Sequence, residues 1–193
     1  MQSTTTTTPT RHNFDPSLEL ILTERALQAL KQGRSCVLQG TREVREGAMD
    51  RLQILLNRSG LPCHQLSLAG VAAAEFPWLL ARKLGLGAEP GWNSFEIWNL
   101  LADYFAAAGS CELRSVCCWK LAHVTADVAP ALLRLMFSGG DAVRHVFSVD
   151  AHGSAALPLL LASFDLQLLN VEDDRWGMAG GQDQSLRSVV PLH

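Results

Sequence analysis

Apolar residues follow two alternating patterns along the chain: a spacing of three to four residues, and short, nearly continuous apolar runs. The first pattern is typical of amphipathic helices and the second of strands buried in a sheet. The patterns predict helices at 16–33, 46–60, 76–87, 93–109, 126–140 and 155–163. They predict strands at 35–40, 62–70, 113–121, 143–151 and 164–170. In the helix at 93–109, Phe95, Trp98, Leu101 and Phe105 form the predicted apolar stripe.

Strands that alternate with helices indicate βαβ units around a parallel sheet. We therefore predict an α/β fold with three layers and a doubly wound, mostly parallel, five-stranded sheet. One domain is expected at 15–172, between a mobile tail at 1–14 and a loosely held tail at 173–193. Doubly wound sheets bind ligands beyond the carboxyl ends of their strands. The loops after Gly40, Trp119 and Val149 are therefore the candidate site loops.

Composition limits the function classes. The chain has 193 residues, 48% of them hydrophobic, and a formal net charge of −3, which is a globular balance without the basic excess of a nucleic-acid binder. Neither a membrane-spanning run nor a signal-peptide core is apparent, so a cytoplasmic location is expected. Five cysteines fit no zinc spacing, and four of them lie in apolar runs, which indicates buried, reduced thiols.

The stretch from Leu38 to Leu56, LQGTREVREGAMDRLQILL, has the layout of a phosphate-binding loop: a strand, a glycine and then a helix predicted to start near Glu46. The usual loop reads GxxxxGK followed by Ser or Thr. Arg45, Glu46 and Gly47 occupy the last three places of that pattern. The same layout also occurs in other doubly wound folds, where the glycine only makes a turn.

The order of elements resembles the core of a P-loop ATPase of the AAA+ type, most closely the ATPases of general secretion and transposition helpers. The resemblance covers roughly 15–172 and has a second anchor in KLAH, Lys120 to His123, where that family often has DEAH. It implies the strand order 5-1-4-3-2, with the first strand between the fourth and the fifth.

The resemblance aligns Gly40 with the first glycine of the nucleotide loop. Arg45 stands at the second glycine, Glu46 at the phosphate-binding lysine and Gly47 at the magnesium-binding hydroxyl. Glu46 would present a negative charge to the phosphates, and a carboxylate also suits the first turn of a helix. The expected loop remnant comprises Gly40, Thr41, Arg42, Glu43, Val44, Arg45, Glu46 and Gly47.

The second nucleotide motif departs from the family pattern as well. Lys120 replaces the metal-holding aspartate, and Leu121 replaces the carboxylate that orients water, although Ala122 and His123 match. Loss of both groups predicts that hydrolysis is lost. At the end of the fourth strand, Ser148 corresponds to the family's polar group, and Asp150 follows it.

Three functions follow from these residues. The first is an inactive AAA+-like domain that binds proteins, such as an active ATPase relative or a second copy, and needs no cofactor. The second is a domain that binds ATP or ADP weakly. The most distant is an unrelated α/β enzyme that uses the loop of Asp150 and His152. His145, Asp150 and His152 lack a convincing third ligand, although His64 or His123 could approach from neighbouring strands, so no metal is predicted.

Overall fold

The computed structural model describes residues 15–89, 91–121, 127–150 and 157–170. The helices are α1 (Pro16–Lys31), α2 (Arg42–Arg58), α3 (Phe76–Lys83), α4 (Ser94–Ser110), α5 (Val128–Gly139) and α6 (Leu157–Ser163), with a 3₁₀ turn at Gly140–Ala142. The strands are β1 (Ser35–Gln39), β2 (Cys63–Ser67), β3 (Ser115–Lys120), β4 (Val143–Ser148) and β5 (Leu166–Asn170). The tails predicted at 1–14 and 173–193 lie outside the described residues.

The five strands form one sheet in the order β2-β3-β4-β1-β5, and every neighbouring pair is parallel. This arrangement confirms both the predicted parallel α/β fold and the predicted position of β1 between β4 and β5. The register places Leu38 opposite Ser148 and Ser148 opposite Lys120. The carboxyl ends of β1, β4 and β3 therefore meet at one edge of the sheet.

Two hydrophobic clusters cover the two faces of the sheet. Alternate strand residues point to opposite faces, so Cys36, Leu38 and Val146 pack under α1 and α2. Val37 and Phe147 pack under the other helices with Trp119, which is fully buried. Each strand thus contributes to both clusters, as expected for a sheet that is covered on both faces.

Helix ends follow local sequence signals. The Asp15 side chain accepts a hydrogen bond from the Ser17 backbone N–H, and Pro16 opens α1. At α4, Asn93 and Glu96 form a reciprocal capping box. These two helices begin where the sequence predicts them.

The prediction that α2 starts near Glu46 is wrong, because the helix begins at Arg42. The extended backbone of Thr41 precedes the first turn, Glu43 lies in that turn, and Arg42 pairs with Glu46 at 2.9 Å across it. A carboxylate near a helix N-terminus and an i,i+4 ion pair both favour the earlier start.

The assignment of Phe95 to the apolar stripe of α4 is also wrong, since Phe95 is 70% exposed. The buried face of α4 is formed by Ile97, Trp98, Leu101, Phe105 and Ala108. Phe95 lies in the first turn, beside the exposed capping box, and belongs to neither hydrophobic cluster.

The cysteines agree with the expectation of reduced thiols. Cys36, Cys63, Cys117 and Cys118 are buried, whereas Cys111 is exposed, and all five are free. Burial raises the pKa of Cys36 and of Cys117 to about 12, so these thiols stay protonated. Within the described ranges, no helix is both long and apolar enough to cross a membrane.

Candidate functional site at the carboxyl edge of the sheet

The connection between β1 and α2 is a short turn formed by Gly40 and Thr41. Gly40 has a φ of +141°, a conformation that favours glycine. Because the helix starts at Arg42, the remaining positions of the predicted loop, Arg42 to Gly47, are helical. The backbone here makes one tight turn, whereas a phosphate loop needs a longer run of N–H groups curled around its ligand.

Arg45 is the centre of this edge. It is only 4% exposed, and its Nε–H donates to the Gly40 carbonyl at 3.0 Å. One terminal nitrogen donates to Ser148 Oγ at 2.9 Å, and the other forms an ion pair with Asp150. The guanidinium therefore joins the turn after β1 to the residues that end and follow β4.

Arg45 thus places a positive charge at the carboxyl ends of the strands, where doubly wound folds bind ligands. Its donors are directed at a carbonyl, a hydroxyl and a carboxylate of the same chain. A guanidinium that is bound on several sides has few donors left for an external anion. The site is thus arranged to close the edge internally.

Glu46 and Gly47 lie away from this guanidinium. Glu46 accepts a bond from Arg42 at the helix surface. A Cβ added to Gly47 would collide with the Glu19 carboxylate, so position 47 faces α1. The Glu19 carboxylate is held there by Arg51, at 2.9 Å. A hydroxyl at position 47 would accordingly point to α1.

At the end of β3, Lys120 lies on the face covered by α2. Its Nζ is 4.0 Å from Asp50 Oδ1, which also accepts a hydrogen bond from Gln65 at 3.2 Å. Leu121 is 1% exposed and belongs to the hydrophobic cluster on the opposite face. Its backbone N–H donates to the Ser148 carbonyl at 2.9 Å. Leu121 therefore contributes apolar packing and a backbone hydrogen bond to the residue that ends β4.

The residues considered as metal ligands are not brought together. His145 is buried in the middle of β4, whereas Asp150 pairs with Arg45 beyond the end of that strand. His64 lies on β2, two strands away from β4. Ala122, His123 and His152 lie outside the described residues. Within the described ranges, no group of three metal-binding side chains occurs.

The role of Arg45 was not predicted from the sequence, because Arg45 was interpreted only as a lost glycine. A signal was present, because Arg45 falls on the same helical face as the apolar Val44, Ala48 and Met49. A charge on a buried face requires partners. Within the described part of the chain, Arg45 is the one buried residue with a permanent charge.

The five parallel strands, their order and the helices on both faces form a P-loop NTPase-like α/β fold. Its solved structural neighbours include Cdc6p from Pyrobaculum aerophilum, with a TM-score of 0.61, 13% identity and coverage of 85% of this chain and 48% of that chain. The Aeropyrum pernix ORC2 protein in ADPNP–ADP complexes has a TM-score of 0.50, 14% identity and coverage of 84% and 48%.

Drosophila ORC bound to GC-rich DNA and Cdc6 is a third neighbour, with a TM-score of 0.54, 12% identity and coverage of 86% of this chain and 63% of that chain. The chain thus spans about half to two thirds of the length of these proteins, and identities this low establish the fold alone. No family model and no curated protein matches the sequence.

Replacing Arg45 by methionine should lower the free energy of unfolding by about 2–4 kcal/mol, because Ser148, the Gly40 carbonyl and Asp150 lose a shared partner. The matched control is Arg42→Met, which removes an exposed i,i+4 pair and should cost about 0.5 kcal/mol or less. Urea denaturation followed by circular dichroism measures both. Equal losses for the two variants would contradict a buried, multiply bonded Arg45.

Proposed function

We propose that this chain is a catalytically inactive AAA+-like domain that acts by binding other proteins. The observation that carries the proposal is the guanidinium of Arg45, which is bonded to Gly40, Ser148 and Asp150 at the edge where nucleotide phosphates bind in active relatives of this fold. Arg45 is the cation at this edge and Asp150 is its anion, so few hydrogen-bond donors are left for a triphosphate.

Electrostatics support the loss of nucleotide binding. A phosphate at this edge would have to displace the Asp150 carboxylate from Arg45 or lie beside it. Two like charges at 4 Å repel each other by about 4 kcal/mol at an effective dielectric constant of 20. The short turn of Gly40 and Thr41 also leaves few backbone N–H groups to offset that repulsion.

The residues at the two hydrolysis positions, Lys120 and Leu121, also support the loss of ATPase activity. Lys120 faces Asp50 and brings a positive charge to the position of a magnesium ligand. Leu121 is buried among apolar side chains, so it can neither hold a metal nor orient water. We infer that no Mg-ATP is turned over and that no cofactor is required.

Protein binding is supported by the surface beside β5, which is an edge strand of the described sheet. Leu168 of β5 is 47% exposed, and Leu159 and Leu161 of the preceding helix α6 are also exposed. An edge strand with an exposed apolar side chain suits addition of a strand from a partner. The partner is a second copy or an active ATPase relative, and the net charge of −3 gives no support to nucleic acid.

Weak binding of ATP or ADP is the second candidate function, since the neighbouring Aeropyrum pernix ORC2 protein was solved in ADPNP–ADP complexes. An enzyme that uses Asp150 is less well supported, because that carboxylate is engaged by Arg45. A nucleotide titration separates the first two candidates.

Isothermal titration with Mg-ATP and with Mg-ADP should give no dissociation constant tighter than about 100 μM, which is about −5.5 kcal/mol. Phosphate release from Mg-ATP should not exceed the buffer rate. Turnover that is lost in a variant at Lys120 would overturn the proposal, and saturable binding in the low-micromolar range would favour the second candidate.

The double variant Arg45→Gly, Glu46→Lys restores two positions of the loop pattern and leaves Gly47 native, since that position faces Glu19. We expect no gain in ATP affinity, because the turn after β1 remains too short to surround a phosphate. The control is the same double variant titrated with Mg²⁺ alone. A gain of tenfold or more would show that the backbone can still form the loop.

Self-association through the β5 edge is tested by analytical ultracentrifugation at increasing protein concentration. If the partner is a second copy, the average mass should rise with concentration, and Leu168→Lys should abolish the rise. Leu113→Lys is the control, because Leu113 is also exposed, at 64%, but precedes β3. A mass that stays monomeric would exclude the second copy and leave the heteromeric partner.

A further inference from the structure

A groove lies along β2, which forms one edge of the described sheet while β5 forms the other. The volume of the groove is about 450 Å³. Its described lining comes from two elements, the edge strand β2 and the carboxyl half of α3: Gln65, Leu66, Ser67, Leu79, Arg82 and Lys83. One wall is therefore an edge strand, and the other is the end of a helix.

The strand wall has backbone groups that no neighbouring strand pairs. Just beyond β2, the Leu68 N–H donates to the Lys120 carbonyl at 3.0 Å. Residues two apart along a strand direct their backbone groups to the same side, so the even-numbered residues of β2 bond to β3. The N–H and C=O groups of Gln65 and Ser67 consequently point away from β3, at the open edge.

The helix wall is positively charged. Arg82 and Lys83 are exposed, and neither has an ion-pair partner in the described part of the chain. The Arg82 guanidinium lies 4.7 Å from the ring centroid of Trp78, which holds it at the helix surface. Burial, and secondarily the charge of Lys83, lower the pKa of His64 in β2, so this charge lies close to the strand. Among the described lining residues, none is acidic.

The two faces of the sheet differ in charge beside this edge. Asp50 of α2 accepts a hydrogen bond from the Gln65 side chain at 3.2 Å and lies 4.0 Å from Lys120 Nζ. Leu66, the next residue of β2, belongs to the cluster on the face that α3 covers. Side chains of a strand added to β2 would alternate in the same way, with every second one on the basic α3 side.

We propose that this groove binds an extended acidic peptide segment, which adds to β2 as a further strand. The peptide backbone pairs with the open groups of Gln65 and Ser67, and every second side chain carries a carboxylate towards Arg82 and Lys83. A nucleic acid could match the two cations, but it lacks the alternating N–H donors and C=O acceptors that pair with a strand edge. This surface is additional to β5 and is independent of whether β5 binds a partner.

The acetylated and amidated heptapeptide ETETETE is the probe, because an extended strand of it presents all its glutamates on one face. The readout is the amide spectrum of the ¹⁵N-labelled full chain. We expect saturable shifts of the Gln65 and Ser67 amides with a dissociation constant of about 1 mM or tighter. Hydrogen exchange of both amides should slow at saturation, whereas the Leu66 amide, directed to β3, should be protected throughout. Absence of saturable shifts up to about 10 mM peptide would overturn the proposal.

Two further peptides and one oligonucleotide test the chemistry of the partner. KTKTKTK should bind at least about tenfold more weakly than ETETETE, and the neutral QTQTQTQ should lie between them. Equal affinities of the three peptides would contradict recognition by charge. A decathymidylate DNA strand that binds as tightly as ETETETE would show a general polyanion surface and overturn strand addition.

Variants test the two walls separately. Arg82→Gln combined with Lys83→Gln should weaken ETETETE binding about fivefold, because two exposed charge contacts are lost. The matched control, Lys31→Gln with Arg58→Gln, removes the same charge from the last turns of α1 and α2 and should not. Ser67→Pro removes the outward N–H, which β3 does not use, and should abolish binding while circular dichroism shows a retained fold. Equal losses in the two double variants, or peptide binding by folded Ser67→Pro, would contradict the proposal.

Discussion

The buried guanidinium of Arg45 is the interaction on which the carboxyl edge of this protein depends. It binds the carbonyl of Gly40, the hydroxyl of Ser148 and the carboxylate of Asp150 at once. A cation removed from water is tolerated only when such partners surround it. Because the three partners come from the turn after β1 and from the end of β4, the arginine fixes these two neighbouring strands relative to each other.

This interaction explains why α2 can begin directly after a turn of Gly40 and Thr41. A phosphate loop leaves its backbone N–H groups free for an external anion. Here the positive charge comes from Arg45, one turn inside the helix, and the negative charge comes from Asp150. The charges at this edge are thus paired within the chain, which is the basis of the proposal that the domain keeps the P-loop NTPase-like fold and acts by binding proteins.

Much of the fold was predictable, because parallel strands buried on both faces have a strong apolar signal. The run at Ser115–Lys120 is an example, with its first five residues buried. The strand order required the family resemblance, since alternation alone gives parallel pairing but no order. The exposure of Phe95 was unpredictable from its spacing, because periodicity identifies a helix face without showing where the covering elements end.

The site was only partly predictable. Aligning the loop with a family pattern drew attention to the turn after β1, but it also imposed a loop on residues that are helical from Arg42 onward. The alignment treated Arg45 only as the replacement of a glycine. Its role follows from its bonds to Gly40, Ser148 and Asp150. His145 was considered as a metal ligand, but it is buried within β4, and that burial lowers its pKa to about 3.

The most direct measurement is the ¹⁵N–¹H resonance of the Arg45 Nε–H group, assigned by its loss in Arg45→Met. We expect a slowly exchanging signal that persists at neutral pH and does not move when millimolar Mg-ATP is added, because the Gly40 carbonyl holds this donor inside the fold. A signal that exchanges as fast as that of the exposed Arg42, or that shifts saturably with Mg-ATP, would contradict this expectation.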